Sequence, residues 1–367
     1  MNGALLARTK AGRAADRAAA AETLSDDALQ AHLLQGVSRT FALTIPQLPP
    51  ALAKPVANAY LLCRIVDTIE DEVALDSAQK RRFCEQFARV TRGGENPREL
   101  RDALAPLLSV ATSPAERELI QLIPRVIAIT HGFAPPQREA LACCVAIMAR
   151  GMAEFQDRDL RFGLTSLEEM GRYCYYVAGV VGEMLTRLFC HYSPAIACHR
   201  EELLGLALSF GQGLQMTNIL KDLWDDHDRG VCWLPRDVFA EAGFDLRELR
   251  PGHGDPRFSA GLRHLIGVAH GHLRHALRYT LLIPPGETGI REFCLWALGM
   301  AVLTLRKIHR HPQFTSSAEV KITRRSVKLT IAVSRLLRSS DRGLKAAFAL
   351  AGLGLPLQPA VPTRPND

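Results

Sequence analysis

Gln215-Met-Thr-Asn-Ile-Leu-Lys-Asp-Leu-Trp-Asp-Asp226 decides the fold, because its acids fall where a helix ordinarily buries apolar side chains. Read backwards, Asp226, Asp222, Asn218, Gln215, Gly211, Leu208 and Leu204 recur at intervals of three or four and mark one helical face. The early half of that face is apolar, as a core face should be; the later half is amide and carboxylate. If Leu204 and Leu208 face the interior, then Asn218, Asp222 and Asp226 are predicted to do so too. A buried carboxylate requires a counter-charge.

A second stretch, Ala59-Tyr-Leu-Leu-Cys-Arg-Ile-Val-Asp-Thr-Ile-Glu-Asp-Glu72, repeats the pattern, with Tyr60, Arg64, Asp67 and Asp71 on one face. Like charges at this spacing weaken an isolated helix by roughly 0.2–0.5 kcal/mol. One such acidic pair is more often a solvated face than a site. Two, each continuing an apolar stripe beside amide or Arg neighbours, point to a shared cation. Hard divalent ions take oxygen ligands, and Mg²⁺ is held by a few carboxylates plus substrate phosphate. The residues therefore predict a clamp for Mg²⁺, with Mn²⁺ as a substitute, bridged to a diphosphate.

The chain of 367 residues is long enough for a substantial core, and its net charge of +7 favours an anionic partner. Nine scattered cysteines read as reduced core residues of a cytosolic protein. Cys190-His191 and Cys198-His199 lack the CxxC pairs of a zinc site. Residues 1–24, rich in Ala and Arg without a signal-peptide core, predict a frayed tail. Residues 25–340 predict one all-α domain, and 341–367 an apolar tail interrupted by Gly and Pro. Helices are predicted near 27–37, 49–73, 77–92, 97–110, 114–131, 136–157, 167–191, 198–228, 258–283, 287–310 and 324–351. Capping boxes are expected at Ser113–Glu116 and Ser166–Glu169. His264, His270, His272 and His275 form no ligand face and are expected at the surface.

In Tyr173-Cys-Tyr-Tyr-Val-Ala-Gly-Val-Val-Gly-Glu183, Ala178, Gly179 and Gly182 predict a close approach of the helix backbone to a neighbour. Tyr173, Tyr176 and Val177 line one side.

These motifs together resemble the squalene and phytoene synthases, the head-to-head prenyl synthases, and the squalene synthases more closely. The resemblance runs from about Ser38 to Lys328. It is carried by Ser38-Arg-Thr-Phe41, Asp67-Thr-Ile-Glu-Asp71, Tyr173 to Gly179, Gln215 to Asp222 with Asp226, and Arg229-Gly-Val-Cys-Trp-Leu-Pro235. Arg291-Glu-Phe-Cys294 resembles the squalene synthase segment whose Phe faces a carbocation. Val320-Lys-Ile-Thr-Arg-Arg-Ser-Val-Lys328 resembles the basic flap beside the nicotinamide cofactor. The chain departs from the family at Lys221, where Arg is common, after Cys294, and at Thr323 within the flap.

The resemblance implies an isoprenoid-synthase-like helical bundle with a central cavity. It implies joining two farnesyl diphosphates to presqualene diphosphate, then NADPH-dependent reduction to squalene. Asp67, Asp71, Asn218, Asp222 and Asp226 would hold the metal, and Ser38, Arg39, Arg64, Gln215, Asn218, Lys221 and Arg229 the diphosphate. Tyr173 would handle a proton and Phe293 stabilise a cation through its ring. With no strand-borne GxGxxG, NADPH would be gripped by Ser38, Arg39, Lys321, Arg324 and Arg325. Two alternatives stand beside this reading: an unreduced phytoene, dehydrosqualene or hydroxysqualene-pathway product, and an inactive homologue serving as an assembly partner. A monomer without nucleic-acid binding is expected, in the cytoplasm. Basic residues at 335–345 beside the apolar tail suit peripheral contact with the cytoplasmic face of a membrane.

Overall fold

The computed structural model describes residues 21–38, 40–156, 158–252 and 254–365. Arg39, a predicted phosphate ligand, lies outside them, as do residues 1–20. Every regular element among the described residues is a helix, and the one isolated bridge joins Leu164 and Pro235. The described residues divide into two compact units, one within residues 21–156 with 187–194, the other within 158–186 with 195–365.

The first unit is organised around the helix Pro50–Asp71, whose apolar residues Leu52, Leu61, Leu62, Ile65, Val66 and Ile69 are fully buried. A polar clasp fixes its depth. Asn58, with no exposure, accepts from Gln30 Nε2 at 3.1 Å and donates to Thr130 Oγ1 at 2.7 Å. Such a satisfied buried amide specifies one arrangement, since leaving it unpaired would cost about 1–3 kcal/mol. At the described start of the chain, Arg125 donates to the Glu22 and Leu24 carbonyls at 2.7 and 3.2 Å, so residues 22–24 are tied down rather than frayed.

The second unit is built on Arg200–Asp228, packed against Pro256–Leu282 and against the helical segment that begins at Leu167. The small residues predicted to allow close approach do so. A Cβ on Gly211 would lie 2.3 Å from the Ala178 carbonyl oxygen, and one on Gly182 would lie 2.5 Å from that of Ala207. Between Leu167–Cys174 and Val180–Tyr192 the backbone widens into one π-helical turn, Tyr175–Gly179. Such bulges often occur at functional sites.

Two predicted helices are broken. The 114–131 run divides into Pro114–Gln121 and Ile123–His131, because Pro124 has no N–H to continue the first ladder. The 324–351 run divides into Arg324–Leu337 and Asp341–Ala351, the second capped by the Ser340 hydroxyl. The Ser113–Glu116 capping box forms as expected. Ser166 caps its helix, but Glu169 turns instead to the Thr165 N–H and Arg158. His270 and His272 are buried rather than superficial: His272 Nδ1 lies 3.1 Å from Ser209 Oγ, and burial lowers its pKa to about 4.

Candidate active site

In the first unit, Ser38, Tyr60, Arg64, Asp67 and Asp71 lie on or beside one face of Pro50–Asp71. The turn after Ser38 is closed by the Phe41 N–H donating to its hydroxyl at 3.1 Å, and the Phe41 ring sits 4.9 Å from that of Tyr60. Arg64 is held between two acids. Its Nη2 donates to Glu116 at 2.5 Å, and its Nη1 lies 3.9 Å from Asp67.

Glu116 is a residue that sequence reasoning assigned only to a helix cap. One oxygen does accept from the Ser113 N–H at 3.0 Å, but the other fixes Arg64. Burial pushes its pKa up, yet hydrogen bonding from Ser113 and the charge of Arg64 bring it below the usual value.

Asp67 behaves in the opposite way. Desolvation raises its pKa to about 7 against the pull of Arg64, and the charges of Asp71 and Glu116 add to the rise. Burial also raises Glu70, beside Asp71. Carboxylates crowded in this way are suited to a divalent cation, whose charge would offset both burial and mutual repulsion.

In the second unit the acidic end of Arg200–Asp228 differs from expectation at one position. Asp226 is buried and Gln215, Lys221 and Asp222 are half-buried, but Asn218 is exposed. The apolar stripe opens to solvent as it becomes polar, so hydration meets part of the cost that complete burial would impose. Lys221 Nζ bridges Asn218 Oδ1 at 3.3 Å and Asp222 Oδ2 at 3.1 Å. Arg229 donates to Asp226. Burial nonetheless raises Asp226 to about 6, with Arg229 opposing and Asp222 and Asp225 adding to the rise.

Among the described residues, no three His, Cys, Asp or Glu side chains converge as a metal cluster. Each acidic helix instead presents carboxylates four residues apart, and burial raises the pKa of Asp67 on the first and of Asp226 on the second. That donor set fits Mg²⁺ if the remaining oxygens come from phosphate and water, as is usual for this ion.

Tyr173 is buried and lies against Trp233, with ring centroids 3.7 Å apart and planes 11° from parallel. Trp233 lies within the Arg229–Pro235 stretch, where no spacing marks it for a role. Its loop is positioned by backbone pairing: the Leu164 N–H donates to Leu234 and the Arg236 N–H to Leu164, both at 2.9 Å. Gly163 makes the approach feasible, with φ of 95° and room for no Cβ beside the Leu234 oxygen.

Phe293 is buried on Thr288–Arg310. Its neighbours fasten the following helices: fully buried Arg291 donates to the Arg338 carbonyl and Asp341, both at 2.8 Å, while Glu292 pairs with Arg335 and Arg338. The flap residues Lys321, Arg324 and Arg325 are exposed around the N-terminus of Arg324–Leu337. Just before them, Ser317 donates to Asp225 at 2.6 Å, which ties the base of the flap to the second acidic helix.

Residues 34–326 match the squalene/phytoene synthase family model. The chain is 28% identical over 316 residues to a squalene synthase of Candida albicans, covering 83% of this chain and 66% of that one. It is 28% identical over 298 residues to a squalene synthase of Gibberella zeae, covering 80% and 59%. The match thus spans less than two thirds of either relative's own length. TcSQS, solved in complex with a ligand, shares the fold at a TM-score of 0.70 and 22% identity, over 89% of this chain and 91% of that one. With the family model matched over most of its length, this chain belongs to the squalene/phytoene synthase family.

Proposed function

We propose that the protein is a prenyltransferase that joins two farnesyl diphosphates head to head, giving presqualene diphosphate, and then reduces this to squalene with NADPH. The observation that carries the reading is an acidic helix in each unit that places a carboxylate of raised pKa, Asp67 or Asp226, beside a guanidinium. The relatives named squalene synthase favour reduction over an unreduced product.

Mg²⁺ would be held by Asp67, Asp71, Asp222 and Asp226, with Asn218 orienting water or phosphate oxygens, and would neutralise the diphosphate as it leaves. Arg64, Lys221 and Arg229 supply positive charge to the same group, while Gln215 offers an amide for a phosphate oxygen. Arg64 keeps its direction through Glu116. Tyr173, held flat by Trp233, presents a phenol for proton handling near the released diphosphate. Phe293 offers a ring face to the carbocation. NADPH would be gripped by Lys321, Arg324 and Arg325, and by Ser38 and Arg39; cations around a helix N-terminus fit its phosphates. The enzyme works as a monomer in the cytoplasm and meets the membrane peripherally.

The test is product identification with farnesyl and geranylgeranyl diphosphate, each with and without NADPH. Squalene formed only with farnesyl diphosphate and NADPH supports the full reading. A C30 hydrocarbon or alcohol made equally without NADPH overturns the reductive half, and absence of any condensation product overturns the whole.

A further inference from the structure

The C-terminal residues 352–365 run over the second unit in a groove lined by glycines. The Gln358 N–H donates to the Gly267 carbonyl at 3.1 Å, and a Cβ on Gly271 would lie 2.5 Å from the Gln358 oxygen. His270 Nδ1 lies 2.9 Å from the Pro356 oxygen. Farther along, a Cβ on Gly171 would lie 2.4 Å from Thr363 Oγ1. Bulkier residues at 171, 267 or 271 would exclude the segment, so the helices are shaped to receive it.

The polar contacts are equally specific. Gln212, with no exposure, uses its amide as a strand edge would: Nε2 donates to the Thr363 carbonyl at 2.7 Å and to the Gly171 carbonyl at 3.0 Å, and Oε1 accepts from the Thr363 N–H at 3.3 Å. Arg364 then reaches Glu183, a buried carboxylate, at 3.4 Å. Glu183 in turn accepts from the Tyr175 hydroxyl at 3.3 Å. Thr363 therefore presses on the helix two residues before Tyr173, and Arg364 is joined through Glu183 to Tyr175, two residues after it. A buried acid of this kind is costly without its counter-charge, so docking of the segment and the conformation of the π-helical turn are linked.

We propose that residues 352–365 are an intramolecular strap that positions Tyr173, with Gln212, Glu183, Thr363 and Arg364 as positioning residues. The assignment of chemistry to Tyr173 rests on the function proposed above; the docking and its coupling to residues 173–183 do not.

Two full-length variants test it. Gly171→Ala combined with Gly271→Ala crowds the groove while improving helix propensity. Arg364→Ala removes only the anchoring charge from a side chain that is 58% exposed, so it keeps the fold if the paired change does not. Hydrogen exchange should show the amides of 355–363 opening at least about tenfold faster in the paired variant, with those of 173–183 following in both. The near-UV signal of the Tyr173–Trp233 pair should weaken. With farnesyl diphosphate, kcat should fall about tenfold while KM stays within about twofold, and Arg364→Lys should restore both the exchange and kcat. Fast exchange of the strap in the wild type overturns the docking. Fast exchange of the strap alone in the paired variant, with 173–183 and kcat unchanged, overturns the positioning role. If the wild type does not turn over farnesyl diphosphate, the functional reading fails while exchange still decides the coupling.

Discussion

Trp233 lies flat on Tyr173, 3.7 Å between ring centroids, and so fixes the plane in which the phenol is offered. A stacked aromatic pair contributes about 0.5–1.5 kcal/mol beyond its buried area. Trp233→Leu is expected to lower kcat about tenfold, since a misplaced reacting group costs rate more than binding. KM should change little, and Trp233→Phe should recover most of the loss. Steady-state kinetics with farnesyl diphosphate check both variants; unchanged kcat in Trp233→Leu would remove Tyr173 orientation from its role.

Asp67 gives a pH dependence whose sign can be worked out. Its folded pKa, about 7, stands above the ordinary aspartate value of 3.8, so the folded state holds the proton more tightly than the unfolded one. Its contribution to stability is complete below about 4 and is lost as pH rises toward about 7. In metal-free protein, Asp67→Asn should therefore raise the melting temperature at pH 7.5 relative to wild type, by an increment corresponding to roughly 1–3 kcal/mol, and do little at pH 4. The same change should nearly abolish turnover and remove Mg²⁺-dependent stabilisation. Thermal melts with chelator and with Mg²⁺ across that pH range measure all three; equal melts at pH 7.5 would count against the strained carboxylate.

Gly211 touches the Ala178 backbone across the crossing of two helices, where a Cβ would lie 2.3 Å from a carbonyl oxygen. Gly211→Ala should destabilise the protein by about 1–3 kcal/mol despite the better helix propensity of Ala, because neither backbone can yield locally. Denaturant unfolding checks it, and a stabilised variant would mean that the crossing relaxes.

Much of this was legible in the sequence because it depends on local spacing. The acidic faces, the Ser113 cap and the Ala178–Gly182 crossing follow from intervals of three and four residues. The break at Leu122 is written locally too, in Pro124 within the apolar run around it. What stayed hidden depends on residues distant in the chain. Glu116 meets Arg64 across 52 positions and Gln212 meets Thr363 across 151, and no helical period encodes either pairing. Asn218 followed the predicted face, but solvent access along that face is set by packing. His272 reads as a surface residue until Ser209 supplies its partner.

The cationic flap separates the two halves of the proposed reaction. Lys321, Arg324 and Arg325 are exposed and lie apart from the acidic pairs in sequence, so replacing all three with Ala should leave the first condensation largely intact. The reductive step should slow by at least about tenfold, and presqualene diphosphate should accumulate. Product analysis over a range of NADPH concentrations measures this. Squalene formed at the normal rate and with normal NADPH dependence would assign the cofactor to other residues.

Membrane contact is predicted from the two helices that precede the strap. Their outward surface carries Leu329, Leu336 and Leu350 at 63%, 82% and 68% exposure, followed by Leu353 at 68%. Arg325, Lys328, Arg335, Arg342 and Lys345 are exposed on the same helices. Residues 352–365 sit in their groove yet leave Leu357 and Val361 outward at 48% and 76% exposure, so the apolar groups available to a bilayer run from these helices onto the outer side of the strap. Each contributes at most about 1.5–3 kcal/mol on burial, and basic residues add about 1 kcal/mol apiece near an anionic surface. The protein should therefore sediment with vesicles containing phosphatidylserine, lose that binding as salt is raised, and bind neutral vesicles weakly. Leu336→Ser with Leu350→Ser should reduce sedimentation several-fold without altering the melting temperature. Equal sedimentation of this variant and the wild type would show that the leucine face is not the contact.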